Sequence, residues 1–251
     1  MSEWLESAIT RAQGINDWLA PKRAYALELL STTKWPTRKT EAWRYTPLRA
    51  VERTQAKVID AVVNLSPVAI ADFAAIELVF VNGKLDESQL AKALPKGLSV
   101  TLGRDLEKTQ QAHALKAFST VKPERHLFGL INDALAQDVV VVTVADGVDV
   151  AEPLRISSLL SQGAESHTRV QVTLGAGSRL AVIEDIQAQG ETLSTAFVEY
   201  HVESNARLEH YRFALQTGTN VSIGGSHFNL HDRAKMHSTI VGFGSDLSRL
   251  D

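Results

Sequence analysis

The sequence predicts an α+β protein in which a mostly helical N-terminal region, residues 1–136, precedes part of a right-handed parallel β-helix, residues 137–251. Three observations predict this class. Apolar residues recur at helical spacing near the N-terminus, β-branched residues dominate from Val139, and a 28-residue repeat fills the last third of the chain. The hand of the β-helix follows from the right-handed crossover of parallel strands.

The first 30 residues are predicted to form two helices. Trp4, Leu5 and Ala8 begin an apolar stripe at helical spacing, which indicates a helix packed on a core. Pro21 cannot lie inside a helix, so we expect it to open the second one. Residues 105–118 and 124–136 lack strand alternation and are also predicted to be helical.

A short pair of strands is predicted between these helices. Leu78–Val81 is an apolar run that ends in Asn82-Gly83, a dipeptide typical of tight turns. Leu98–Leu102 alternates apolar and polar residues. We expect the two segments to pair with each other.

The repeat in the last third predicts stacked coils. Upstream of each copy, apolar and polar residues alternate with the period of a strand. A fixed step of this length marks units that bury a core only when they stack. We expect two strands per coil, with corners at Gly175–Gly177, Ser204-Asn205 and Asp232-Arg233, and an early coil near Pro153 without a clean 28-residue match. The aligned triplets are Ser178-Arg179-Leu180, Ala206-Arg207-Leu208 and Ala234-Lys235-Met236, in units 167–194, 195–222 and 223–250.

Composition excludes several functions. The chain of 251 residues has no cysteine, so it can form no disulfide and supplies no thiolate to a metal or a reaction. Its net charge is −3, which gives no global basic field for a nucleic acid partner. An apolar signal segment and a run of about 18 apolar residues are both missing, so we expect a cytoplasmic protein without a membrane partner.

Polar residues of the repeat stack into columns on one strand face. Because coils lie about 4.8 Å apart, Glu199 can reach His227 and Glu203 can reach His231. His227 and His231 lie about 13 Å apart along their strand, too far to bind one metal ion. We interpret the set as a solvated ladder of ion pairs on the outer face, and assign no catalytic, cofactor-binding or metal-ligating residue. The ladder comprises Glu199, His201, Glu203, His227 and His231.

Two further groups of polar residues bear on catalysis. Many β-helix proteins cleave polysaccharides with clustered carboxylates, but the adjacent Glu184 and Asp185 should point to opposite faces of a strand. His113, His126 and His167 match no ligand spacing and are predicted to lie on the surface.

The densest stretch of the sequence runs from Pro36 to Leu48 and mixes aromatic rings with charges. Trp43 and Tyr45 lie among arginines, which suits either a packed knot that fixes a turn or a recognition surface. Thr46-Pro47 is a favourable helix start. Both interpretations stay open at this point.

This stretch resembles the N-terminal signature of the SufB/SufD family of the SUF iron–sulfur cluster assembly system. Leu78–Leu85 and Phe128–Leu135 are similar to later family segments in the same order, and the leading helices with Trp-Arg-Tyr resemble the SufD members. The signature positions are Pro36, Arg38, Glu41, Trp43, Arg44, Tyr45 and Leu48.

The resemblance implies a non-catalytic scaffold subunit that acts with SufB and the ATPase SufC. It implies that an iron–sulfur cluster forms at the level of the complex, with no cofactor bound by this chain alone. Two other functions stay open: a β-helix enzyme active on polysaccharides, and a generic interaction solenoid. Family members are longer, so we expect a C-terminally truncated chain whose next unit would start at Asp251. An uncapped last coil would favour self-association.

Overall fold

A computed structural model describes residues 2–46, 48–61, 63–188, 190–216, 218–244 and 246–250. In these ranges a group of N-terminal helices leads into a parallel β-solenoid of about four turns. The predicted α+β class with a parallel β-helix is therefore confirmed. Pro47 and Asp251, to which the sequence assigns a helix start and the start of a further unit, lie outside the described residues.

The first two helices begin where the sequence chemistry predicts, whereas the third begins at Arg49 with Leu48, not the predicted Thr46, at its N-cap. The Ser2 side chain caps the first helix by accepting a hydrogen bond from the Leu5 amide at 3.2 Å. Pro21 lies in the first turn of the second helix, where its missing N–H costs no intrahelical hydrogen bond. The helices are α1 (Glu3–Gln13), α2 (Ala20–Thr32), α3 (Arg49–Arg53), α4 (Lys108–Ala117) and α5 (Leu127–Leu135).

The strands form two six-stranded sheets that face each other across the solenoid interior. The strands are β1 (Ile76–Val81), β2 (Lys84–Leu85), β3 (Leu98–Leu102), β4 (Val139–Val144), β5 (Leu154–Leu160), β6 (Glu165–Leu174), β7 (Arg179–Ala188), β8 (Thr192–Val202), β9 (Arg207–Leu215), β10 (Asn220–Leu230), β11 (Lys235–Phe243) and β12 (Leu247–Leu250). The first sheet has the order β11-β9-β7-β5-β1-β2 and the second has the order β12-β10-β8-β6-β4-β3. Successive strands therefore alternate between the sheets once the coils begin.

Parallel pairing follows the repeat. Leu180 pairs with Leu208, and Leu208 pairs with Met236, which is the predicted step of 28 residues at each coil. The earliest coil keeps this step between Leu154 and Val182, so the expectation of no clean match there is wrong for the first sheet. Between β4 and β6 the offset is 30 residues, because the turn before β5 is longer.

The corners of the coils are confirmed at the predicted positions. Gly177, Asn205 and Arg233 occupy equivalent turns, and all three adopt left-handed backbone with φ of 69°, 61° and 56°. Glycine and asparagine tolerate this conformation, whereas arginine does so at an energetic cost. The turn geometry is therefore set by the repeat even where the side chain does not favour it.

The two early strands do not pair with each other, so that expectation is wrong. β1 pairs in parallel with β5 and antiparallel with β2, whereas β3 pairs antiparallel with β4 of the other sheet. The tight turn at Asn82-Gly83 returns the chain only to Lys84 and Leu85, which use the free edge of β1. Strands from the predicted N-terminal region thus complete the first edge of both sheets.

The two largest clusters of buried hydrophobic residues lie inside the solenoid and under the helices. One fills the solenoid interior with inward-facing residues such as Val172, Val182 and Tyr200. The other lies between the helices and the outer face of the second sheet, and includes Phe128 of α5 and Phe197 of β8. The helical layer therefore covers a sheet face that the sequence analysis assigns to solvent.

Candidate functional site

The predicted polar columns are in register on the outer face of the second sheet. Gln171, Glu199 and His227 are direct neighbours on β6, β8 and β10. Yet Glu199 is fully buried, so the interpretation as a solvated outer ladder is wrong at this residue. The cause is the helical layer, whose segment around residues 118–122 lies over β8.

Glu199 is held by a guanidinium and by three backbone amides. Arg169 lies 2.9 Å from its carboxylate, and the N–H groups of Ser119, Val121 and Lys122 donate at 2.7, 3.2 and 3.4 Å. Burial alone would raise the pKa of Glu199, but the charge of Arg169 and the three amide bonds lower it below its usual range. Glu199 therefore stays ionised and fastens the helical layer to the solenoid.

Asp133 of α5 extends this arrangement. Its carboxylate lies 2.9 Å from Lys122 Nζ and 3.4 Å from Arg169 Nη1, and it accepts a hydrogen bond from Ser119 Oγ at 2.5 Å. We call the two cations and two carboxylates the Arg169 cluster. Because its charges balance and it is buried, the cluster serves as a rigid polar joint rather than as a charged binding surface. Its members are Lys122, Asp133, Arg169 and Glu199.

The histidines of the predicted ladder have different surroundings. His227 stacks on Phe197 with ring centroids 5.9 Å apart, and burial lowers its pKa to about 4. Burial also lowers the pKa of half-buried His201. Glu203 and His231 lie 3.7 Å apart, with 42% and 44% of their side chains exposed, and form the solvated part of the ladder.

A second buried joint connects α1 to the solenoid. Arg11 makes a bidentate ion pair with Glu165, with distances of 3.0 and 2.7 Å. His167 contacts Glu165 at 2.9 Å and Thr195 at 2.8 Å. Burial would raise the pKa of Glu165, but His167 and Arg11 lower it to about 2. The predicted surface position of His167 is wrong, since α1 and α5 cover this part of the sheet.

A third ionic group lies inside the solenoid. Glu184 accepts contacts from Arg212 at 2.7 Å, from His210 at 2.9 Å, and from the hydroxyl groups of Tyr200 and Ser226 at 2.7 and 2.9 Å. Burial opposes ionisation, but Arg212 and His210 lower the pKa of Glu184 to about 2. This carboxylate therefore stays charged within the core.

Asp185 faces the other side of the same strand, as predicted. It contacts Arg155 at 2.9 Å and Ser157 at 2.6 Å. Glu184 and Asp185 thus cannot act together on one bond. Each is already committed to an ion pair, which leaves neither poised as a general acid or base.

The signature stretch divides into a buried and an exposed part. Trp43 and Leu48 are buried, and the Trp43 ring lies 5.4 Å from Phe128 between centroids. Arg249 of β12 covers this ring, with its Cζ 4.0 Å from the centroid. Pro36 is half-buried. The exposed signature side chains are Arg38, Glu41, Arg44 and Tyr45.

Sequence reasoning missed most residues of the three joints, but one signal could have found part of them. Glu184 and Arg212 are opposite charges one 28-residue step apart, and the register makes them neighbours. His167 and Thr195 share that spacing. By contrast, the contact of Glu199 with Ser119 joins the segment between α4 and α5 to β8, and has no signal within the repeat.

We searched the described residues for clusters of metal-ligating side chains and for membrane-spanning helices, and found neither. No three His, Asp or Glu side chains within the described ranges converge as metal ligands would. In the same part of the chain, no helix is long and apolar enough to cross a membrane. The ionic groups instead join elements of the fold.

Fold and site together define a parallel β-solenoid protein with a helical layer fixed to one sheet by buried ion pairs. The model of the SufBD protein N-terminal region matches residues 6–156, and the model of the SufBD core domain of SUF-system iron–sulfur cluster assembly matches residues 157–251. The chain belongs to the SufB/SufD family.

Two curated relatives are similar to the chain. The chain is 27% identical over 209 residues to "Iron-sulfur cluster assembly protein SufD" of Escherichia coli (strain K12), which covers 78% of this chain and 46% of that protein. It is 22% identical over 228 residues to "Protein ABCI7, chloroplastic" of Arabidopsis thaliana, covering 84% and 47%. The chain thus spans about half the length of the curated relatives it matches.

Proposed function

We propose that this chain acts in iron–sulfur cluster assembly as a non-catalytic scaffold, together with SufB and the ATPase SufC. The observation that carries the proposal is that the two family matches follow one another along residues 6–251. They cover the helical layer and the described coils of the solenoid. The printed name of the E. coli relative supports the same process.

The composition supports a scaffold role rather than a cluster-binding one. The chain has no cysteine, so thiolates that hold a nascent cluster would come from SufB or another partner. In this proposal the cluster is cargo of the complex and not a resident cofactor of this chain.

The geometry of the buried ion pairs favours a structural role over a catalytic one. The buried carboxylates Glu165, Glu184 and Glu199 are each paired with an arginine. Such paired groups lack the free proton-transfer capacity that a general acid or base needs. Their contribution is to fix the helical layer and the coils relative to one another.

Co-expression with SufB and SufC of the same genome tests the proposal. The tagged chain should retain at least one of them through affinity and size-exclusion chromatography, whereas an unrelated tagged β-solenoid should retain neither. If iron and sulfide are added under reducing conditions, visible absorbance of a cluster should develop only when SufB is present. A chain that elutes alone from a lysate containing both partners contradicts the proposal.

The same samples distinguish the two alternatives. Release of reducing sugar from a panel of polysaccharides would support the enzyme alternative, which the opposite facing of Glu184 and Asp185 disfavours. Retention of other proteins but not of SufB or SufC would support a generic interaction solenoid.

A further inference from the structure

The exposed half of the signature borders a pocket that none of the buried joints explains. The pocket has a volume of about 490 Å³. Trp35 and Trp43 line it together with Leu48, and Arg38, Arg49 and Glu52 add charged groups to the lining. A cavity of this size, with aromatic walls and a few convergent charged groups, is typical of binding sites for small molecules and single side chains.

The apolar wall of the pocket is rigid. Trp35 and Trp43 both pack on Phe128, with centroid distances of 6.1 and 5.4 Å. Arg249 covers Trp43 and also donates a hydrogen bond to the Ala42 carbonyl at 2.7 Å. A preformed wall lowers the entropic cost of binding, because its side chains are already ordered.

The surroundings of the pocket are strongly basic. The segment 34–53 carries six basic and two acidic residues, a local charge of +4 in a chain of net charge −3. Arg38 and Arg49 are exposed, and no ion pair to either is found within the described residues. Arginine binds carboxylates with two parallel hydrogen bonds, so these side chains favour an acidic ligand.

Tyr45 adds an anchor beside the pocket. Its side chain is 89% exposed, and the Arg44 guanidinium lies 5.8 Å from its ring centroid. Tyrosine and arginine are the residues that most often dominate binding energy at protein interfaces. The apolar area of the Tyr45 ring is not buried in the isolated chain, so a bound partner could bury it.

We propose that this pocket binds an acidic peptide segment of a partner protein, with an apolar side chain against Trp35 and carboxylates on Arg38 and Arg49. Trp43 is 8% exposed and is covered by Phe128 and Arg249, so the half-buried Trp35 offers the apolar contact. Nucleic acid is the weaker ligand, because the net charge of the chain is −3 and gives no extended basic field for a phosphate backbone. The inference does not depend on the identity of SufB and SufC as partners.

Fluorescence anisotropy with three labelled probes tests the proposal. The probes are a short peptide of Asp, Glu and Leu, the matched peptide of Asn, Gln and Leu, and a single-stranded oligothymidine. The acidic peptide should bind saturably and should weaken with added salt, and it should change the tryptophan fluorescence. The neutral peptide should bind at least tenfold more weakly, a difference of about 1.4 kcal/mol.

Charge-reversal variants locate the site. Arg38→Glu combined with Arg49→Glu should weaken the acidic peptide by about a hundredfold, which is about 2.8 kcal/mol. The control reverses the same number of exposed basic residues on the solenoid, Arg207→Glu with Lys235→Glu, and should leave binding within about twofold. Circular dichroism should show all variants folded, since the four side chains are exposed.

Four results would overturn the proposal. They are no saturable binding of the acidic peptide, equal binding of the neutral peptide, equal or tighter binding of oligothymidine, and an equal loss in the solenoid control. A change in peptide affinity for Tyr45→Ala, without a change in thermal stability, would place the peptide over the tyrosine as well.

Discussion

Arg249 of β12 lies over the indole of Trp43, with its guanidinium carbon 4.0 Å from the ring centroid. The same guanidinium donates to the Ala42 carbonyl at 2.7 Å. One side chain of the solenoid thus completes the packing of the N-terminal signature. Trp43 is the point where the helical layer, the signature and the late strands of the fold meet.

Loss of this contact should destabilise the protein. We expect Arg249→Ala to lower the free energy of unfolding by about 1–2 kcal/mol, from the cation–π contact and the hydrogen bond together. Urea unfolding followed by tryptophan fluorescence measures it. Arg207→Ala, an exposed arginine on the same solenoid, is the matched control and should change stability by less than about 0.5 kcal/mol. Equal effects of the two variants would contradict the packing role.

The two carboxylates of the predicted ladder should differ sharply in their contribution. Glu199→Gln leaves Arg169 buried without its main partner, so we expect a loss of about 3–5 kcal/mol. Glu203→Gln removes only a solvated contact at 3.7 Å from His231, and should cost about 0–1 kcal/mol. Thermal and urea unfolding of both variants give the comparison.

A double variant separates the ion pair from general packing. Glu199→Gln combined with Arg169→Met should cost less than the sum of the two single changes, because each single change strands a buried charge. Strict additivity would show that the two groups do not stabilise each other.

Acid should destabilise the fold through Glu165 and Glu184. The pKa of each is lowered from 4.5 to about 2, so the unfolded chain binds protons more readily than the native one. Stability from these groups is therefore complete above pH 4.5 and is lost as the pH falls toward 2, by about 3 kcal/mol per group. In urea unfolding at pH 7, 4.5 and 3, the free energy of unfolding of Glu165→Gln should decrease less with falling pH than that of the unchanged chain. The exposed Glu152→Gln should retain the native profile.

His227 should also make the fold less stable as the pH falls, but over a higher pH range than the two glutamates. Its pKa is lowered to about 4, so between pH 6.5 and 4 the unfolded chain takes up a proton that the native chain refuses. The free energy of unfolding should therefore decrease as the pH falls from 6.5 to 4. His227→Asn should make this decrease smaller. The pH dependence of the urea midpoint tests this, and an unchanged slope would argue against the neutral state of the half-buried ring.

The corner positions give a test of backbone strain. A Cβ added to Gly177 would meet no atom within 4 Å, so Gly177→Ala isolates the cost of its φ of 69°. We expect a loss of about 1 kcal/mol. Arg233 holds the equivalent position at φ 56°, and Arg233→Asn should gain a few tenths of a kcal/mol because asparagine tolerates this region. Calorimetric melting of both variants is sufficient.

Exposed apolar side chains on β11 form a candidate surface for the predicted self-association. Ile240, Val241 and Phe243 of β11 are 50%, 38% and 72% exposed. Phe243→Lys should shift the chain toward monomer in light scattering across a tenfold range of concentration, because a charge opposes contact between exposed apolar side chains. Lys235→Ala on the same strand is the control. A sharp monomer for the unchanged chain across that range would refute self-association.

The solenoid was predictable from the sequence because its restraints are periodic. The 28-residue step gives the pairing of Leu180 with Leu208, and it places the left-handed corner at Asn205. Alternation also correctly predicts that Glu184 and Asp185 point to opposite faces. These features depend only on neighbouring coils, which the sequence displays side by side.

The site was largely unpredictable because its contacts cross between unlike elements. Ser119 reaches Glu199 from 80 residues away, and Arg11 reaches Glu165 from 154. No periodicity relates these pairs. β1 likewise shows strand character, but its parallel partner β5 lies beyond two helices and three strands. The sequence therefore predicts that this segment is a strand, but it does not predict which strand pairs with it.

The position of Arg249 also sets an order of events during synthesis. Each new coil pairs with one that left the ribosome about 28 residues earlier, so the solenoid can grow in step with translation. Trp43 must wait for a contact some 200 residues downstream, a separation of 207 for the Ala42 hydrogen bond. The N-terminal signature therefore reaches its final packing only after β12 has been synthesised, and until then Trp43 lacks the contact with Arg249.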